Sequence, residues 1–196
     1  MHLIQPNTEM LPEYVAALER GWFPDSIRGK AAADEIAAEI GHDAAAFLAR
    51  QFRPEGGGVL TLPDGSQQPR LPSYTWWLWD GEFCGAISFR WQHGTPELPP
   101  YSLGHIGYNV VPWKRRKGYA TEALRQVLPQ VAQHGLPYVE ITTDPDNLAS
   151  QRVIEANGGV LHETFTKGPQ YGNTPGLRYR IAMPPATDTK ATAPLR

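Results

Sequence analysis

Apolar positions recur at helical spacing through the first third of the chain, with Leu11, Tyr14, Val15 and Leu18 on one face and Ile36, Ile40, Phe47 and Leu48 on a later one. Gly21 and Pro24-Asp25 punctuate these helices, and a short strand over Leu3 to Gln5 precedes them. From Arg53 to Pro72 glycine and proline dominate, which predicts a long loop with at most one brief hairpin. Tyr74 to Trp79 and Glu82 to Trp91 then alternate in aromatic, β-rich runs about Asp80-Gly81, predicting an antiparallel pair joined by a two-residue turn. A further strand is expected from Gly104 to Val111, stopped by Pro112.

The most regular pattern in the chain follows. Ala120, Ala123, Leu124, Val127, Leu128 and Val131 repeat at i, i+3, i+4, i+7, i+8 and i+11, an amphipathic helix ended by Gly135. Pro129 inside that pattern is expected to kink the last turn or shorten it. Tyr138 to Thr143 predicts a strand, Leu148 to Ala156 a shorter helix ended by Asn157-Gly158-Gly159, and Val160 to Phe165 with Leu177 to Met183 two closing strands. Residues 1–183 thus read as one domain, and the Pro-, Thr- and Ala-rich stretch 184–196 as a disordered tail.

With 196 residues, of which 41% are hydrophobic, the chain can bury a full core in a single domain. A net charge of −2 gives no global positive field for nucleic acid, so that partner is excluded. A single cysteine, Cys84, forbids an intrachain disulfide and points to a reducing, cytoplasmic setting, with the thiol read as buried packing. No apolar stretch approaches the ~20 residues of a membrane span, and the six histidines lack ligand spacing, so neither membrane nor metal is expected.

One junction carries chemistry. Between the strand ending at Pro112 and the helix opening at Tyr119 lie Lys114, Arg115, Arg116 and Lys117, followed by Gly118. A helix start offers unpaired N–H groups and a positive dipole end, and small residues such as Gly118 and Ala120 let an anionic oxygen approach the backbone. A basic run on a solvated surface would look the same. The chain contains neither G-x-x-x-x-G-K-[ST] nor G-x-G-x-x-G, so the common nucleotide loops do not fit.

Arg115-x-x-Gly118-x-Ala120 resembles the Q/R-x-x-G-x-G/A pyrophosphate loop of the GNAT acetyltransferase superfamily. Asn147-x-x-Ser150-x-x-Val153-Ile154-Glu155-x-x-Gly158 is similar to that superfamily's next block, in the expected order. The resemblance is detailed from Gly104 to Gly159 and faint over the first 70 residues. It implies the α/β acyl-CoA N-acyltransferase fold, a mixed, mostly antiparallel sheet of six or seven strands with helices on both faces. Its fourth and fifth strands would splay apart to admit a pantetheine arm. It further implies acetyl-CoA as co-substrate, with Val110 and Val111 pairing the arm and the amides of Arg116, Lys117, Gly118, Tyr119, Ala120 and Thr121 around the pyrophosphate. Lys114, Arg116, Lys117 and Arg152 are then candidates for the 3′-phosphate. The acceptor would be a primary amine of a small molecule or peptide, acetylated directly in a ternary complex, and the resemblance is compatible with a homodimer.

Acetyl transfer needs a neutral amine, an oxyanion donor and help for the departing thiolate. The resemblance suggests the Val111 amide as the oxyanion donor. Many superfamily members carry a tyrosine acid where this chain has Ile154, which moves the role to Ser150, like a serine assigned to the thiol in ribosomal-protein-acetylating relatives. Asn147 would orient the pantetheine amide or the acceptor, although Asn147 and Ser150 also suit a plain helix cap. The base stays open among Glu140, Asp144, His105 and Tyr108. Pro96 to Tyr101 and Phe23 are the expected acceptor wall. An aromatic cage from Trp76, Trp77, Trp79 and Trp91 is disfavoured, because neighbouring strand residues face opposite ways. Two further readings compete: a non-catalytic acyl-CoA sensor or interaction module, suggested by Ile154, and an anion-binding domain for another nucleotide.

Overall fold

The computed structural model describes residues 1–184 apart from Ser26 and Pro63, so the expected tail from residue 185 onward lies outside the described residues. The strands β1 (His2–Ile4), β5 (Ser73–Trp79), β6 (Phe83–Arg90) and β7 (Ile106–Val110) form one sheet in that order, with β2 (Phe52–Arg53) also on β5. A second sheet runs β8 (Tyr138–Thr143), β10 (Pro175–Ala182), β9 (Val160–Thr166), and the loop region holds a hairpin of β3 (Val59–Thr61) and β4 (Gln67–Pro69). All ladders among the described residues are antiparallel. The two larger sheets meet edge to edge, where the His105 amide bonds the Glu140 carbonyl at 2.8 Å.

Helices cover both faces. On one, α1 (Leu11–Glu19), α2 (Gly29–Ala49) and the segment between them pack Tyr14, Phe47 and Trp22 against Trp77, Phe83 and Val111. On the other, α3 (Tyr119–Ala132) and α4 (Leu148–Glu155) bury Leu124, Val127 and Ile154 against Leu78, Ile87, Phe89 and Ile141. Trp76 and Trp77 point to opposite cores, as strand alternation requires, so no aromatic cage forms from this pair. The α2 segment is two helices. Asp43 leaves helical geometry (φ −152°, ψ 84°), and its carboxylate accepts the Ala46 amide at 2.8 Å as a new cap.

Two sequence expectations change. The β5–β6 connection is three residues, since Trp79 pairs with Phe83, and a bulge puts Cys84 outside the ladder. The bulge inverts strand parity, so Cys84 and Ile87 both enter the α3 side core. Burial there pushes the Cys84 thiol up to about 12, leaving it inert. Helix α3, for its part, runs through Pro129 to Ala132. Pro129 and Arg125 lie exposed on its solvent face, where water can satisfy the Arg125 carbonyl that loses its donor.

Candidate active site

A single turn of 3-10 helix, Pro112–Lys114, leads from β7 into the junction before α3. Arg116 (φ 62°) and Gly118 (φ 76°) both adopt left-handed geometry, which turns successive amides toward one concavity. No side chain caps α3, so the amides of its first turn are left for a ligand. A Cβ at Gly118 would meet nothing within 4 Å, so the turn is open in front of the helix. Arg115, Arg116 and Lys117 are exposed around it. Helix α4 is tied beside this start by Asn157, whose amide nitrogen donates to the Thr121 carbonyl at 3.2 Å. Arg152 on α4 is exposed and makes no ion pair among the described residues.

Lys114 does not join the cations at the turn. It is buried and ion-paired to Asp80 and to Glu82 (3.0 Å), while the Tyr119 hydroxyl also donates to Asp80. Although burial opposes it, hydrogen bonds from Lys114 and Tyr119 hold the Asp80 carboxyl well below the ordinary range. Lys114 is therefore an internal strut that fixes the turn to the β5–β6 hairpin, and the 3′-phosphate role expected of it is withdrawn.

Beyond the His105–Glu140 contact, β7 and β8 share no ladder, and a cavity of about 270 Å³ lies between Ile106, Gly107 and Tyr108 on one side and Ile141, Thr142 and Thr143 on the other. The register decides which amides face it. The Val111 N–H donates to the Cys84 carbonyl at 3.0 Å, so odd residues of β7 bond β6 and the polar groups of Ile106, Tyr108 and Val110 point toward the cleft. Val111 therefore cannot supply the oxyanion donor expected of it, whereas the Val110 amide faces the cleft. The Val110 carbonyl accepts Arg115 Nε at 3.2 Å, which folds that side chain along the strand edge.

Ser150 and Asn147 line this cleft, together with Tyr108, Asp144 and Lys167. Asn147 caps α4 by accepting the Ser150 amide at 3.0 Å, the plain structural role its residue type suits. Ser150 Oγ lies 2.8 Å from the Tyr108 hydroxyl, which also reaches the Ser150 carbonyl at 3.3 Å. Burial pushes the Tyr108 phenol up to about 12, with the Ser150 bond opposing, so it stays protonated at neutral pH. Ile154 is fully buried in the core and offers no acid.

Two candidate bases are placed elsewhere. Glu140 is held by Arg180 (3.0 and 2.9 Å) and by Arg178 (3.5 Å) across β8 and β10, outside the cleft lining. His105 is fully buried and accepts the Glu140 amide through Nδ1 at 3.0 Å. Burial lowers its pKa to about 4, with the Pro96 carbonyl opposing and Arg90 and Arg180 adding to the shift. It is a neutral strut at the sheet junction.

That histidine sets a pH test. Its folded pKa lies below the ordinary ~6.5, so its contribution is complete above ~6.5 and is lost as pH falls toward the folded value, about 2 kcal/mol between pH 7.5 and 5. His134, lowered by burial and His93, adds with the same sign. Urea midpoints across that window are expected to fall, with a shallower slope in His105→Asn; a flat wild-type profile would contradict the buried neutral ring.

The acceptor wall is only partly where the sequence suggested. Tyr101 borders a second cavity, whereas Pro96 lines a separate one with Trp91 and His134. Phe23 contributes its carbonyl, which accepts Asn109 Nδ2 at 2.7 Å.

The sequence profile described as acetyltransferase (GNAT) domain matches residues 43–160, more than half of the chain. The chain belongs to the GNAT acetyltransferase family. Among curated members, L-2,4-diaminobutyric acid acetyltransferase of Nocardia farcinica (strain IFM 10152) is 29% identical over 127 residues, covering 56% of this chain. The match spans 65% of that relative's length, less than two thirds. Solved structures with this fold include the microcin C7 self-immunity acetyltransferase MccE in complex with acetyl-CoA and AMP (TM-score 0.63, 14% identity, 92% of this chain and 91% of that one). Another is RimL, a ribosomal L7/L12 alpha-N-protein acetyltransferase in complex with coenzyme A (TM-score 0.60, 14% identity, 92% and 93%). At such identity they establish the shared GNAT fold, into which the sheet, the uncapped α3 start and the parted strands β7 and β8 fit. Among the described residues no helix is long and apolar enough to cross a membrane.

Proposed function

We propose that residues 1–183 form one catalytic domain that moves the acetyl group of acetyl-CoA directly to a primary amine of a small molecule or peptide. The observation that carries this is the uncapped, left-handed turn Arg116–Gly118 opening α3 beside the parted edges of β7 and β8. Amides of the turn and first helical turn suit the diphosphate, and the exposed cations Arg116, Lys117 and Arg152 are the candidates for the remaining phosphate. The edge groups of Tyr108 and Val110 suit the amides of the arm.

In the reaction the amine nitrogen bonds the thioester carbon, the carbon–sulfur bond breaks, the ammonium proton leaves and the thiolate is protonated. The Val110 amide is the donor for the transient oxyanion. Tyr108, paired with Ser150, donates a hydrogen bond to the departing sulfur. Full proton transfer from a phenol near 12 to a thiolate near ~8.5 is uphill by about 5 kcal/mol, so the hydrogen bond itself is the useful interaction, and water delivers the proton. Among the described residues Asp144 is the one carboxylate lining the cleft, paired with Lys167, and takes the ammonium proton through water.

Free thiol released from acetyl-CoA with an amine panel that includes 2,4-diaminobutyrate and N-terminal peptides is the primary test; acetyl-CoA binding with no turnover on any amine would instead mark a non-catalytic sensor. Tyr108→Phe is expected to lower kcat on the order of 10- to 100-fold with the KM for acetyl-CoA little changed, because the thiolate loses a donor it meets late in the reaction. An unaltered kcat would remove Tyr108 from the mechanism.

A further inference from the structure

Beside the cleft opens a larger cavity of about 560 Å³, bounded by α2, the β3–β4 hairpin and the faces of β5 and β6. The two cavities share Ile27 and Arg90 in their walls, so they lie side by side. Its walls are unbalanced in charge. Five arginines line it, Arg28, Arg50, Arg53, Arg70 and Arg90, against the carboxylates of Asp25 and Glu39. Arg28 pairs with Glu35 and Arg50 with Glu39.

The other three have no carboxylate among the described residues. Arg53 donates to the Gly57 carbonyl at 2.9 Å and Arg70 to the Val59 carbonyl at 2.8 Å, which fixes both side chains while leaving their charge uncompensated. Arg90, at the boundary of the two cavities, donates to Ser88 Oγ at 3.0 Å and the Gly104 carbonyl at 3.4 Å. Burial holds all three guanidinium groups below their usual pKa, and for Arg53 and Arg70 the neighbouring arginines push the same way. Arg53 and Arg70 stand close enough to each other or to Arg50 for their like charges to oppose one another, a repulsion that an anion between them would relieve. Guanidinium groups held by one edge keep the other N–H donors free for a carboxylate or phosphate.

From these unpaired arginines we infer that the acceptor is anionic: a small primary amine carrying a carboxylate or phosphate, its anion held by Arg53, Arg70 and Arg90 and its amine directed past Arg90 into the cleft. This rests on the acetyl-transfer reading above and names the acceptor class for the same site.

Matched amines test it, with thiol release measured on the full chain for ornithine against 1,4-diaminobutane and for phosphoethanolamine against ethanolamine. The anionic member of at least one pair is expected to have a kcat/KM about 100-fold higher, and whichever pair shows the larger ratio identifies carboxylate or phosphate as the source. Arg53→Gln and Arg70→Gln are each expected to shrink that ratio about 10-fold, chiefly through the KM of the anionic amine, with Arg70→Lys recovering part of it. Equal turnover of both members of each pair, or ratios untouched by the glutamine variants, would overturn the inference. Calorimetric binding of ornithine and phosphoethanolamine to wild type and variants is read in parallel. If acetyl-CoA binds but no amine reacts, the transfer reading fails alone when these anions still bind in an Arg70-dependent way, and the inference fails with it when they do not.

Discussion

Gly118→Asp is expected to raise the Kd for acetyl-CoA on the order of 100- to 1000-fold while moving the melting temperature by only a few degrees. A carboxylate placed about 4 Å from a phosphate oxygen at a partly exposed site repels it by about 4 kcal/mol, close to three decades in affinity. The fold tolerates the change because a Cβ at that position meets nothing within 4 Å. The remaining cost is the left-handed φ of 76°, about 1 kcal/mol for an L-residue and less for aspartate than for most. Calorimetry with acetyl-CoA, alongside a thermal melt, separates the two effects. Undiminished affinity in a folded variant would mean that the diphosphate does not sit at this turn.

Gly85→Ala is expected to destabilise the protein by at least about 3 kcal/mol, a drop on the order of 10 °C in Tm for a domain of this size. Gly85 occupies φ 142°, and a Cβ there would lie 2.1 Å from the Asn109 carbonyl and 2.9 Å from the Val110 Cα. That backbone cannot retreat without parting β6 from β7, where Gly85 is paired with Val110. Gly81→Ala is the control: its φ of 110° imposes similar backbone strain, but a Cβ there meets nothing within 4 Å. A much larger loss for Gly85→Ala than for Gly81→Ala, read from urea midpoints, assigns the difference to the clash. Because the β6–β7 ladder beside Gly85 sets which β7 amides face the cleft, the folded remainder of Gly85→Ala should also bind acetyl-CoA more weakly. Equal stability of the two variants would mean that β6 and β7 do not approach this closely at Gly85.

Residues whose role follows from their nearest neighbours in sequence were legible in advance. The apolar stripe of α3 and the Arg115 to Ala120 junction lie within one continuous segment, so periodicity and the glycine at the helix start suffice to place them. Trp76 and Trp77 could be sent to opposite cores by alternation alone. Lys114 could not be placed in this way. It sits in the same basic run as Arg116, yet its partner Asp80 is 34 residues earlier, and only the packed hairpin turns it inward. Glu140 likewise has the composition of a base, but Arg180, 40 residues later, faces it across the β8–β10 pair.

By itself the sequence determined the order and type of the main elements and the anion-ready start of α3, because both depend on hydrogen bonds and side-chain spacing within a few residues of chain. The tertiary structure alone decided that Val110 and not Val111 turns its amide to the cleft, since the β6–β7 ladder, from Arg90–His105 to Cys84–Val111, fixes the odd residues of β7 on β6. It alone also gathered Arg53, Arg70 and Arg90 around one cavity. Charges far apart in sequence line one cavity only when the fold brings the segments that carry them together.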